Sequence, residues 1–115
     1  MDVKKIQRLE DVIQLAKAGQ KIKAEVQLLK RPIILKIHPE AQIVEETEAY
    51  LLTAKFKFYI GDQTVEIERI YVMGFPTEEF EQERANINVA NARLKEDYRR
   101  LKEAGIEIVE EKYFE

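Results

Sequence analysis

The stretch YLLTAKFKFYIGDQTVEIERIYVMGF, from Tyr50 to Phe75, decides the fold because two alternating runs lie on either side of a short loop. In the first run, apolar side chains recur at every second position from Leu52 to Ile60. A period of two is typical of a strand with one buried face. A second run begins at Val65, so the sequence predicts a β-hairpin whose loop is GDQT.

The predicted register of this hairpin pairs Ile60 with Val65 and all later residues in step. This register keeps one face almost wholly apolar, and a buried face specifies strand register strongly. Arg69 is the exception, because it falls on the apolar face. Either a β-bulge near Glu68 rotates Arg69 outward, which is the explanation we prefer, or its guanidinium reaches a carboxylate at the sheet margin.

Upstream of the hairpin, the hydrophobic period changes from that of a helix to that of a strand. Residues 3–18 carry apolar side chains three and four positions apart, which predicts an amphipathic helix. Asp2 is its candidate N-cap, and Gly19 is placed to end it. The segment KIKAEVQL, residues 21–28, then alternates apolar and polar side chains and is predicted to be a half-buried strand.

Downstream of the hairpin, Pro76 ends the second strand, and a long helix is predicted from Thr77 to Ala104. Gly105 ends this helix, and IEIVEEKYF follows as a last strand. The chain 1–115 is therefore expected to be a single α+β domain. It should contain one mostly antiparallel sheet of about five strands, with the N-terminal helix and the long C-terminal helix packed on one face.

The composition leaves few residue types for catalysis. Cysteine and serine are absent, histidine occurs once, and 36% of the residues are charged. Thiolate metal sites and cysteine or serine nucleophiles are therefore excluded. We expect no cofactor and no metal site, and an enzyme is the third hypothesis, behind the two functions given below. The chain starts MDVKKIQRLEDV, without the apolar core of a signal peptide, which favours a cytoplasmic protein that does not cross a membrane. Abundant charge without cysteine or tryptophan leans toward a thermophile composition.

The only histidine, His38, lies at the end of a short alternating segment that is predicted to be a separate strand. This segment, residues 33–38, is bracketed by Pro32 and Pro39, and prolines belong at strand ends or on sheet edges. The residue before a proline is biased toward extended geometry, so His38 is expected to be the last extended residue. We interpret His38 as a strand end rather than as the centre of a site.

The net charge of −3 conceals an excess of positive charge between residues 17 and 36. A phosphate or nucleic-acid site in this segment would use Lys21, Lys23, Lys30, Arg31 and Lys36. The alternative, which we prefer, is the solvated face of a strand beside an acidic neighbour. In that case Lys21 and Lys23 lie on the exposed face of their strand.

The base of the hairpin carries apolar side chains on both faces, so its outer face needs a cover. Leu51, Ile70 and Val72 lie on this outer face in the predicted register, although a bulge would turn Ile70 and Val72 inward. Asn91 lies on the apolar stripe of the long helix, where an Asn can fix the register of a helix pair. These four residues are the candidate interface of a homodimer, the commonest oligomer. The competing cover is the C-terminal strand or the loop 39–48.

The motifs in the chain are too generic to indicate a family. Two hypotheses for the function follow from them. The first is a non-enzymatic interaction or assembly protein that forms a homo-oligomer, most simply a homodimer. The second is a nucleic-acid or phosphate-binding module that uses the basic segment.

Overall fold

The computed structural model describes residues 5–37 and 45–115. The elements follow in the order α1 (Leu9–Lys17), β1 (Ile22–Ile37), β2 (Glu45–Ile60), β3 (Gln63–Gly74), α2 (Phe80–Glu103) and β4 (Glu107–Ile108). The strands form one mixed sheet in the order β3-β2-β1-β4, which is antiparallel except where β4 joins β1. The predicted α+β class and mostly antiparallel sheet are confirmed, with four strands instead of about five.

The sheet has fewer strands because β1 is continuous where two strands were predicted. β1 and β2 each contain 16 residues, and their ladder runs unbroken from Ile22 opposite Ile60 to the far end. Pro32 lies within β1, opposite Tyr50. The prediction that proline ends the strand was wrong because Pro32 occupies a position whose backbone polar groups face away from β2, so the ladder does not need its N–H.

β2 and β3 form the predicted hairpin in a register displaced by two residues. Ile60 pairs with Gln63 instead of Val65, because Gly61 and Asp62 alone form the turn. Gly61 has a φ of +62°, and two-residue hairpin turns require such left-handed conformations. Since side chains alternate with a period of two, this displacement leaves each residue before the bulge on its predicted face.

A β-bulge interrupts the hairpin at Tyr71, later in β3 than predicted. Ile70 pairs with Thr53 and Val72 pairs with Leu52, so Tyr71 has no residue opposite it. The bulge turns both Tyr71 and Val72 toward the core, where Tyr71 is buried and Val72 is partly buried. The placement of Val72 on the outer face was therefore wrong, whereas Ile70 remains outside.

The bulge does not rotate Arg69, which stays on the core side opposite Ala54. Its Nε lies 3.0 Å from the carboxylate of Asp97 on α2. The preferred explanation was therefore wrong, and the second one, a carboxylate at the sheet margin, is confirmed. A charged group is tolerated there because its partner neutralises it and its side chain stays 42% exposed.

Both helices pack on one face of the sheet, which we call the inner face; the opposite face is the outer face. The largest fully buried side chains on the inner face come from α1, β2 and α2: Val12, Phe56, Phe58, Leu94, Tyr98 and Leu101. The rings of Phe56 and Tyr98 meet edge to face, with centroids 6.4 Å apart. This contact joins β2 to α2 at the centre of the core.

Both helices start later than predicted. α1 begins at Leu9, where the carboxylate of Asp11 accepts the backbone N–H groups of Gln7 and Arg8 at 3.2 and 3.1 Å. The predicted cap, Asp2, lies outside the described residues. α2 begins at Phe80, and no side chain caps its first turn. Thr77 belongs to the turn that precedes α2.

Only Glu107–Ile108 of the predicted last strand pairs as a strand, and residues 109–115 form a tail that binds α2. The Tyr98 hydroxyl donates to the Lys112 carbonyl at 2.7 Å and accepts the Lys112 N–H at 3.1 Å. The Asn91 amide donates to the Phe114 carbonyl at 2.9 Å, and its oxygen accepts the Phe114 N–H at 2.7 Å. The tail therefore leaves β1 soon after β4 and crosses to the helix layer.

The long β1–β2 hairpin makes the molecule elongated. Its principal extents are 53 × 32 × 19 Å, and its radius of gyration is 17.1 Å. A compact chain of this length would have a radius of gyration of about 13 Å.

Candidate interaction surfaces

The outer face carries an apolar area, which we call the outer patch and define as Leu29, Ile33, Leu51, Ile70 and Met73. Ile70 and Met73 are 59% and 46% exposed, and the other three are half-buried. Within the part of the chain that the structure describes, no helix packs on this face. Large apolar side chains grouped on an uncovered face are typical of an interaction surface.

One ion pair interrupts the outer patch. Arg31 reaches across β2 and donates two hydrogen bonds to the carboxylate of Glu68 on β3. This guanidinium holds the pKa of the Glu68 carboxyl below its ordinary value. The Thr53 hydroxyl beneath it is buried without a hydrogen bond of normal length, although it is close enough to Glu68 to lower that pKa slightly.

The other half of the outer face is charged with alternating sign. Glu25, Lys57 and Glu66 form one row across the three long strands. Lys55 of the next row lies 3.2 Å from Glu66. Opposite charges on neighbouring strands stabilise this solvent-exposed half of the face. Its charge also distinguishes it from the neutral outer patch.

Asn91, the fourth candidate interface residue, is half-buried and uses its amide to hold Phe114. Its position on the apolar stripe therefore serves the chain's own tail. Asn86 is also engaged, since its amide donates to Glu78 at 2.7 Å and lies 3.3 Å from the Tyr50 hydroxyl. Sequence reasoning missed the contacts of Asn91 with Phe114 and of Asn86 with Tyr50 because they join residues 23 and 36 positions apart in the chain.

The second uncovered surface is a strand edge. β4 pairs only with Lys23 and Ala24 of β1, and Val109 then donates its N–H to the Ala24 carbonyl at 3.0 Å. From Glu25 to Ile37, no strand pairs with this side of β1 among the described residues. We call this side of residues 25–37 the open edge.

The tail does not fill the space beside the open edge. A groove of about 550 Å³ separates Val26 and Gln27 from tail residues that include Val109 and Lys112. A second cavity of about 300 Å³ lies beside Leu28, and its wall is partly apolar. The residues of this wall include Leu52, Ile87, Tyr113 and Phe114. The tail therefore does not pack continuously against β1.

The five candidate basic residues do not form one patch. Lys21 and Lys23 are exposed, as predicted, and Lys23 and Arg31 belong to the outer face, where Glu68 binds Arg31. Lys30 and Lys36 belong to the inner face of the sheet. Lys30 Nζ lies 4.4 Å from the centre of the Tyr50 ring and 3.8 Å from Glu83.

A buried carboxylate ties the sheet to both helices. Asp97 is 4% exposed, accepts the Tyr71 hydroxyl at 2.6 Å, and lies 3.0 Å from Arg69 and 3.4 Å from Arg100. Burial, followed by the hydrogen bond to Asp97, raises the pKa of the Tyr71 hydroxyl. Arg100 continues to Glu10 of α1 at 3.0 Å. Every group here has a partner within the chain, so the cluster is structural.

The predictions about His38, metal sites and membrane spans remain to be compared with the structure. His38 lies outside the described residues. Among residues 5–37 and 45–115, no three carboxylates or imidazoles converge as a metal site would require. Over the same ranges, no helix combines the length and the apolar character needed to cross a bilayer.

Comparison with protein-family models, with curated proteins and with solved structures found no match to this chain.

Proposed function

We propose that the protein is a non-enzymatic assembly protein that works as a homo-oligomer. The observation that carries this proposal is the outer patch, which leaves large apolar side chains on a sheet face that no described helix covers. A second copy of the chain is the occupant we propose. It presents the same neutral, apolar surface, and two such faces can pack as the layers of a β-sandwich do.

The dimensions of the outer face indicate that it is not the whole interface. Seven side-chain rows along three strands cover roughly 45 × 14 Å, or about 600 Å². A standard protein interface buries about 800 Å² on each partner. A stable assembly therefore needs a second contact in addition to the outer face.

The test is the molar mass in solution, measured by light scattering during size exclusion at tens of micromolar. We expect a mass of two or more chains of 13.5 kDa each. Ile70→Lys places a charge in the outer patch and should lower this mass without unfolding the chain, because Ile70 is 59% exposed. Thr64→Lys is the matched control, since Thr64 is exposed on the same face of β3 near the turn. A mass of 13.5 kDa for the unaltered protein would refute the proposal.

A nucleic-acid-binding module remains the alternative proposal, and it has less support because its basic residues are divided between two faces. A gel shift over a salt series tests it, since binding to phosphates weakens steeply with salt. Salt-sensitive retention of a nucleic acid by the unaltered chain, lost in a Lys21→Glu, Lys23→Glu variant, would favour this alternative over assembly.

A further inference from the structure

We propose that the open edge of β1 pairs with the open edge of a second copy, antiparallel, about a two-fold axis at Arg31. The two sheets would then join as one sheet of eight strands. This inference rests on the proposed homo-oligomer and supplies the second contact that the outer face alone lacks. It follows from the direction of the backbone groups, the ends of the open edge and the side chains that the pairing brings together.

The backbone of the open edge is ready to accept a strand. The Ala24 carbonyl accepts a bond from Val109, so the even-numbered residues of β1 direct their N–H and C=O groups away from β2. The unbroken β1–β2 ladder carries this phase to Lys36. A long row of unpaired backbone groups is the template for strand addition.

The two ends of the open edge select the register. In an antiparallel pair of identical strands, the numbers of any two opposite residues add to the same sum, which defines the register. Even-numbered residues must lie opposite even-numbered residues so that their backbone groups meet, and the sum is therefore even. In addition, β4 blocks every position before Glu25. A partner strand that extends to Ile37 can therefore avoid β4 only if Ile37 lies opposite Glu25 or later. The sum of 62, with Arg31 opposite Arg31 of the second copy, pairs the whole open edge with itself.

The next register is worse. A sum of 64 sets Pro32 opposite its own copy, so two missing N–H groups meet at the axis and the first positions of the edge stay unpaired. With the sum of 62, Pro32 lies opposite Lys30, and the edge forms about ten backbone hydrogen bonds between the two copies. Because proline has no N–H, each Pro32 removes only one of these hydrogen bonds, so the pairing tolerates a proline at this position.

The side chains of this register match. On the outer face, Leu29 lies opposite Ile33 of the second copy, which extends the outer patch across the axis. On the inner face, Leu28 lies opposite Ile34, which is 62% exposed in one chain. The cavity of about 300 Å³ beside Leu28 is placed to receive the second copy's Ile34 side chain.

The two Arg31 residues are the only like-charged pair in this register. Each guanidinium is bound to Glu68, on the strand beyond β2, and so points away from the axis. The ion pair in the outer patch thus keeps two positive charges apart where the strands meet. The axis is perpendicular to the sheet, so edge pairing leaves the outer patch free to stack on a further copy.

Disulfide formation tests the register, because the chain contains no cysteine. Arg31→Cys sets two thiols opposite each other at a non-hydrogen-bonded position, with about 4.5 Å between Cα atoms, which suits a disulfide. Mild oxidation should yield a dimer of twice 13.5 kDa on a non-reducing gel. Leu29→Cys is the control, since its two copies lie roughly 13 Å apart and should not cross-link. Leu29→Cys mixed with Ile33→Cys should cross-link.

Light scattering on Ile34→Lys completes the test, with Ile34→Val as its control. Lysine should lower the mass of the assembly and valine should keep it, while both variants remain folded because Ile34 is exposed in one chain. A monomeric parent protein overturns both the proposed function and this inference. An oligomer that Arg31→Cys does not cross-link, that Leu29→Cys cross-links by itself, or that Ile34→Lys leaves intact overturns the edge pairing alone.

Discussion

Replacing Asn91 by alanine should release the C-terminal tail from α2. The Asn91 amide makes two hydrogen bonds to the backbone of Phe114, at 2.9 and 2.7 Å, in a half-buried position. Each such bond contributes about 0.5–1.5 kcal/mol net, so their loss should lower the free energy of unfolding by about 1–3 kcal/mol. Alanine also improves helix propensity by about 0.5 kcal/mol, which hides part of this loss.

Asn88→Ala is the matched control, because Asn88 is exposed on the same helix and gains the same propensity. Urea denaturation of the two variants therefore isolates the tail contact. Amide exchange at Phe114 should accelerate in Asn91→Ala and stay slow in Asn88→Ala. Equal stabilities of the two variants would refute the reasoning. Loss of the oligomer with Phe114 still protected would assign Asn91 to an interface between copies instead.

Three further predictions concern the fold. Gly74→Ala sets a Cβ into the ring of Tyr50 and should destabilise the protein by about 1–3 kcal/mol, measured as a lower Tm; an unchanged Tm would show that the ring moves aside freely. Arg31 lowers the pKa of Glu68, so the folded chain binds this proton less readily than the unfolded chain, and stability should fall as the pH drops below about 4.5 and through the folded-state pKa. Glu68→Gln should flatten this acid dependence in urea titrations, and an equally steep profile would contradict it. His38→Asn should leave stability and assembly nearly unchanged, and loss of either in light scattering or denaturation would give His38 a role.

The fold class could be predicted from the sequence because the hydrophobic period and the Gly and Pro residues at the element ends indicate the same long elements. Alternation from Leu52 to Ile60 and the apolar stripe of α2 indicate which faces are buried, and the structure buries them except at the start of α2, where Phe80 of the predicted stripe is 74% exposed. The register differed because GDQT admits either a four-residue or a two-residue turn, and local residues do not choose between them. The two-residue turn at Gly61 matches the twist of the strands.

Contacts between distant segments were beyond sequence reasoning. Asp97 explains the charge of Arg69 on the inner face, but nothing near Arg69 in the chain indicates which carboxylate it meets. Pro32 was interpreted as the end of a strand, although a proline can also stand inside an edge strand when its nitrogen faces outward. The open edge was therefore invisible until the strand order was known.

The elongation of the molecule has a hydrodynamic consequence. Friction depends on shape as well as mass, so a chain with extents of 53 × 32 × 19 Å migrates through a gel-filtration column like a heavier sphere. Calibration against globular standards would assign a single chain too large a mass and so imitate a dimer. Rotational diffusion should be anisotropic as well, with amide N–H vectors parallel to the long hairpin relaxing differently from those across it.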